Sequence, residues 1–105
     1  MSEQELEALR ERIRALDDEL IRLVGKRCEL VLEVGREKST LGLPILDPVQ
    51  EARVVRRVAE RARELGVDQE LARDVIWRII AAARLVQEKS TAWGPPEQPP
   101  STENL

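Results

Sequence analysis

From about Glu3 to Lys38 the chain carries one unbroken helical pattern, and its length limits what the chain can fold into. Leu6, Leu9, Ile13, Leu16, Leu20, Leu23, Leu30 and Val34 recur at alternating spacings of three and four, the stripe of an amphipathic helix. Such a pattern of about 36 residues at ~1.5 Å each makes a rod of roughly 54 Å. A compact globule of this chain length has a radius of gyration of only about 13 Å. The helix overshoots any core that one chain of 105 residues can build, and its sustained seam demands a partner. The expectation is a homodimer with the long helices side by side and antiparallel.

Two cations interrupt the stripe. Arg27 fills the slot between Leu23 and Leu30, and Lys38 stands four residues beyond Val34. At ~100° per residue, the eleven positions from Arg27 to Lys38 amount to three turns plus about 20°, so both fall on one face. Their Cα atoms are expected roughly 16 Å apart. A charge on a core-facing stripe is costly unless an anion meets it. Either the two side chains reach inward to grip a small dianion, or each buries its stem and carries its charge out to water.

The remainder of the sequence is helical too. Ser2 and Glu5 form a capping-box pattern ahead of the first helix, and Gly42 and Pro44 stop it. Asp47-Pro48 is an N-cap followed by proline at the first helical position, and this second helix runs to about Leu65 before Gly66. Asp68 caps a third helix with Leu71, Val75, Ile76, Ile79, Ile80, Ala83 and Val86 on its apolar face. No segment alternates like a strand. The fold class is therefore all-α, three helices per subunit, with one domain over residues 1–92. Residues 93–105, which open Trp-Gly-Pro-Pro-Glu-Gln-Pro-Pro, read as a disordered tail.

Further polar residues sit where the pattern points inward or starts a helix. Gln87 continues the spacing of Ile76, Ile80 and Ala83. Its amide either donates to a ligand oxygen or satisfies a neighbouring carbonyl. Asp47 and Glu51 share a face. Asp47 is accounted for as an N-cap and Glu51 suits the helix dipole, or both face a ligand.

Composition excludes several classes of function. The net charge is −3, and the only aromatic residues are Trp77 and Trp93, so neither a basic footprint nor a stacking platform for nucleic acid is present. No apolar run is long enough to span a bilayer, and no signal peptide is expected. There is no histidine, and Cys28 is the lone cysteine. That argues against a structural zinc site, and fits a reducing, cytoplasmic setting. No metal and no cofactor are expected.

Three stretches carry a family resemblance. Leu9-Arg10-Glu11-Arg12-Ile13 with Leu16-Asp17, then Glu33-Val34-Gly35-Arg36-Glu37-Lys38, then Gly42-Leu43-Pro44-Ile45-Leu46-Asp47-Pro48 with Glu51, follow one another in the order and spacing of the all-helical (type II) chorismate mutases. The chain resembles that family from about Glu5 to Glu88. The resemblance implies an intertwined dimer of three-helix subunits whose sites draw on both chains. It implies that Arg27 binds a substrate carboxylate, and that Lys38 binds a carboxylate and the ether oxygen of the breaking bond. Gln87 is implied to donate to that same oxygen. Glu51, with the backbone at Asp47, is implied to hold the ring hydroxyl, and Arg10 to bind a carboxylate in the partner's site. Spacing is consistent with the last role. Arg10 precedes Lys38 by about 42 Å of helix and is rotated about 260° from Arg27, so as a ligand group it has to come from an antiparallel neighbour.

Two positions depart from the family pattern. Gln50 stands where many members have arginine, and Ala83 where some have serine. The first departure is expected to weaken substrate binding without abolishing the chemistry, and the second removes a modest hydrogen bond. The implied reaction, chorismate to prephenate in phenylalanine and tyrosine biosynthesis, is pericyclic and needs no nucleophile, metal or proton shuttle. Rotational restriction and preorganised donors carry it. Two rivals remain at this level. One is an isochorismate pyruvate-lyase on the same scaffold, which is disfavoured by Asp47-Pro48 and Glu51. The other is a non-catalytic helical dimer, which leaves Arg27, Lys38 and Gln87 unexplained.

Overall fold

A computed structural model describes residues 2–92, with side chains as far as Gln87. The expected tail from Trp93 lies outside the described residues. Three helices follow one another: α1 (Glu3–Leu41), α2 (Pro48–Glu64) and α3 (Gln69–Ala92). Among the described residues, no helix is long and apolar enough to cross a membrane.

Local chemistry sets each boundary. The Ser2 hydroxyl accepts from the Glu5 amide at 3.1 Å and donates to the Glu5 carboxylate at 3.2 Å, which satisfies an amide that the first helical turn leaves unpaired. At the other end α1 runs three residues past Lys38. Gly42 adopts φ +71°, the Leu43 amide donates to the Lys38 carbonyl at 2.8 Å, and the Gly42 amide donates to Ser39 at 3.2 Å. These are the paired bonds of a Schellman stop, which needs a residue tolerant of positive φ. The same closure ends α2, with Gly66 at φ +73° and the Val67 amide on the Ala62 carbonyl. Asp47 caps α2 through the Gln50 amide at 3.1 Å, with Pro48 beginning the helix. Asp68 caps α3 through the Leu71 amide at 2.9 Å.

The chain divides into two units, Met1–Leu30 and Val31–Leu105. In the second, α2 and α3 pack closely. Small residues allow that approach. Ala59 and Ala62 of α2 and Ile80 and Ala83 of α3 are the buried hydrophobic residues among those described. Val54, Val55, Val58, Ile76 and Ile79 are half-buried around them. The apolar stripe of α3 is wider than α2 covers, so Leu71, Val75 and Val86 stay exposed.

In the first unit the seam of α1 faces outward. Leu9, Ile13, Leu16, Leu20 and Leu23 are between 39% and 68% exposed. A row of large aliphatic residues on one side of a helix, all open to water, is an unmet hydrophobic demand.

Candidate functional site

Four of the sequence-predicted residues, Lys38, Asp47, Glu51 and Gln87, are half-buried in the second unit. They come from the last turns of α1, the α1–α2 loop, the first turn of α2 and the far part of α3. Each is held by a hydrogen bond of its own.

Lys38 lies on the last full turn of α1. Its ammonium donates to the Ile45 carbonyl at 3.1 Å, which draws the α1–α2 loop back along the helix. Two residues on, Asp47 spends its side chain on the α2 cap. Its carbonyl accepts from the Glu51 amide at 3.0 Å. Gln50 lends its backbone to the cap while its side chain is exposed.

Gln87 reaches back to α1. Its amide donates to the Val31 carbonyl at 2.9 Å across 56 residues of sequence. Gly35 makes that approach possible. It is the one buried residue of α1, and a Cβ there would stand 3.2 Å from Gln87 Nε2. Gly35 and Lys38 are one turn apart, so the amide of Gln87 lies about one helical turn, ~5 Å of rise, from the residue bearing the ammonium. This is the carbonyl contact that the sequence leaves open for Gln87 beside a ligand role. Ala83, one turn before it, is buried and 4% exposed.

Glu51 has a partner that periodicity did not point to. The Arg84 guanidinium donates through Nε to Glu51 Oε2 at 2.8 Å and through Nη2 to Glu51 Oε1. The side chains are 37% and 16% exposed respectively. Arg84 directly follows Ala83 on α3, and its bond to a carboxylate 33 residues away leaves no mark in local spacing.

The remaining two predicted residues belong to the first unit. Arg27 is half-buried, while Arg10 is exposed and lies 3.8 Å from Glu7. An exposed pair of that kind contributes little, so Arg10 is held weakly. A groove of ≈ 230 Å³ on the α2–α3 pair, with Arg56, Arg63 and Arg73 among its walls, contains none of the predicted site residues.

Chemically the second unit presents an ammonium, a primary amide and a carboxylate clasped by a guanidinium. These are groups for holding and polarising oxygen atoms. The comparisons with known proteins show the family. The profile of the family "Chorismate mutase type II" matches residues 9–88, and the chain belongs to that family. Among curated relatives, the T-protein of Enterobacter agglomerans is 45% identical over 76 residues, which is 72% of this chain and 20% of that protein. The chain thus spans about one fifth of the length of the T-proteins it matches. The chorismate mutase of Methanocaldococcus jannaschii is 26% identical over 86 residues, covering 82% of this chain and 87% of that one. Among solved structures, chorismate mutase (form II) from Thermus thermophilus superposes with a TM-score of 0.73 at 28% identity, covering 80% of this chain and 94% of that one. Every residue singled out from the sequence, Arg10 through Gln87, falls inside the matched span.

Proposed function

We propose that this chain is a chorismate mutase, converting chorismate to prephenate in the cytoplasm for phenylalanine and tyrosine biosynthesis. The observation that supports the reading is that Lys38, Glu51 and Gln87, from three helices, are each half-buried and held by a hydrogen bond within one unit of a chain of the type II family. All three are half-buried, where electrostatic interactions are stronger than in water.

In this reading Arg27 and Lys38 bind the substrate carboxylates. Lys38 and Gln87 also meet the ether oxygen, on which negative charge grows as the C–O bond breaks. Lysine carries three donors, so the one held by the Ile45 carbonyl does not exhaust the ammonium. Glu51 and the Asp47 backbone hold the ring hydroxyl. Rate comes from two sources: fixing the enolpyruvyl arm over the ring and stabilising the developing charge with donors already in place. Gln50 supplies no cation beside the dianion, and Ala83 no hydroxyl.

The protein acts as a homodimer. The exposed leucine seam of α1 supports this, since pairing two such faces removes a row of large aliphatic side chains from water. An antiparallel second copy brings its Arg10 to the site, and breaking the weak Arg10–Glu7 pair costs little.

The test is to supply purified protein with chorismate, and separately with isochorismate, and identify the products. Prephenate from chorismate is expected. Unconsumed chorismate, or pyruvate and salicylate formed from isochorismate, would overturn the reading.

A further inference from the structure

Arg84 and Glu51 form a part-buried, two-point ionic contact in the second unit. We infer that Arg84 is a positioning residue for Glu51, neutralising and orienting that carboxylate so that a dianionic substrate is accepted beside it. The inference rests on the chorismate mutase reading.

Glu51 poses an electrostatic problem. Its side chain is only 16% exposed, so water screens it poorly. A bare carboxylate there would repel any dianion, because like charges at short range disfavour each other. Arg84 resolves both difficulties. Nε and Nη2 engage the two carboxylate oxygens separately. This planar two-point contact cancels the charge and fixes the rotation of the carboxylate, which a lysine ammonium does not do. The placement of Arg84 also matters. It follows the buried Ala83 and lies three residues before Gln87 on α3. The helix that delivers the Gln87 amide to α1 therefore also sets the direction of Glu51 on α2. A simple clasp between two helices would affect stability. A positioning role affects substrate affinity, and does so through Glu51.

The experiment measures kcat, KM and chorismate affinity by calorimetry for the full chain and for Arg84→Gln, Arg84→Lys, Glu51→Gln and the Arg84→Gln/Glu51→Gln double variant. Melting curves accompany each. For Arg84→Gln, KM is expected to rise about tenfold while kcat changes less than about threefold. Arg84→Lys, which keeps the charge and loses the fork, falls between it and wild type, and serves as the readout if Arg84→Gln does not fold. In the Glu51→Gln background the further loss of Arg84 changes KM by less than about twofold, since the two residues act as one unit. The inference is overturned if the Arg84 variants keep the wild-type KM. It is equally overturned if the Arg84→Gln effect persists undiminished without the Glu51 charge. Normal turnover by wild type combined with either result sinks the inference alone. A wild-type chain that neither binds nor converts chorismate sinks the proposed function with it.

Discussion

Gly35 and Gln87 are complementary: the glycine leaves open the volume that the amide occupies. A Cβ at position 35 would lie 3.2 Å from Gln87 Nε2, while that nitrogen donates to the Val31 carbonyl one turn earlier at 2.9 Å. The glycine has an ordinary helical backbone, so its role is space, not a strained dihedral angle.

Gly35→Ala separates stability from activity. Alanine is favoured over glycine in a helix interior by about 0.8–1.0 kcal/mol, and the contact it creates requires Gln87 to shift by a few tenths of an ångström. The melting temperature is expected to stay level or rise. A shift of an aimed donor lowers kcat on the order of threefold to tenfold, because small misplacements of catalytic groups are costly. Thermal melting and steady-state kinetics on the same preparation check both halves.

Turnover at saturating chorismate is expected to be flat between about pH 6 and 8. The donor at position 87 is an amide with no proton to lose, and the chain has no histidine, the side chain that ordinarily titrates there. Gln87→Glu reverses this. A carboxyl donates only when protonated, so kcat for that variant falls as pH rises and recovers on acidification. A pH–rate profile of the two proteins distinguishes them. A steep wild-type profile in that window would contradict the role given to Gln87.

The seam of α1 is expected to hold two chains together. Leu16 and Leu20 are 68% and 53% exposed in the single chain, and fully burying a leucine is worth about 1.5–3 kcal/mol. Leu16→Glu/Leu20→Glu places four carboxylates in the paired interface. Sedimentation is expected to show the mass of one chain where wild type shows two, with turnover falling in step.

Much of this arrangement was legible because its causes are local. Asp47-Pro48, Gly66 and Asp68 mark helix ends through bonds that span only a few residues, and the structure places them there. The end of α1 is less local. Apolar periodicity gives out near Lys38, but the helix continues to Leu41 until Gly42 supplies the positive φ that its stop requires. Lys38, Glu51 and Gln87 were recognisable as polar residues on inward-facing or helix-starting positions. Their partners were not, because Ile45, Arg84 and Val31 are chosen by tertiary approach. Arg84 was missed for that reason. The reason for a glycine at position 35 lies in Gln87, which comes against it only in the folded chain. Arg27 was singled out by pattern and by family resemblance and Arg10 by family resemblance, and the role proposed for Arg10 depends on a second chain.

The central claim is that Lys38 of one chain works with Arg10 of another on the same chorismate, and mixing two inactive variants tests it most directly. Lys38→Ala alone is expected to lose about 10²–10³ in kcat as a preorganised donor is removed, and Arg10→Ala to lose most turnover through weakened binding. After subunit exchange in an equal mixture, half of the dimers are mixed, and each mixed dimer holds one site with both Lys38 and Arg10 intact. Activity is therefore expected to recover to about one quarter of wild type. A mixture no more active than its two components, under conditions where mixed dimers form, would contradict a site shared between chains.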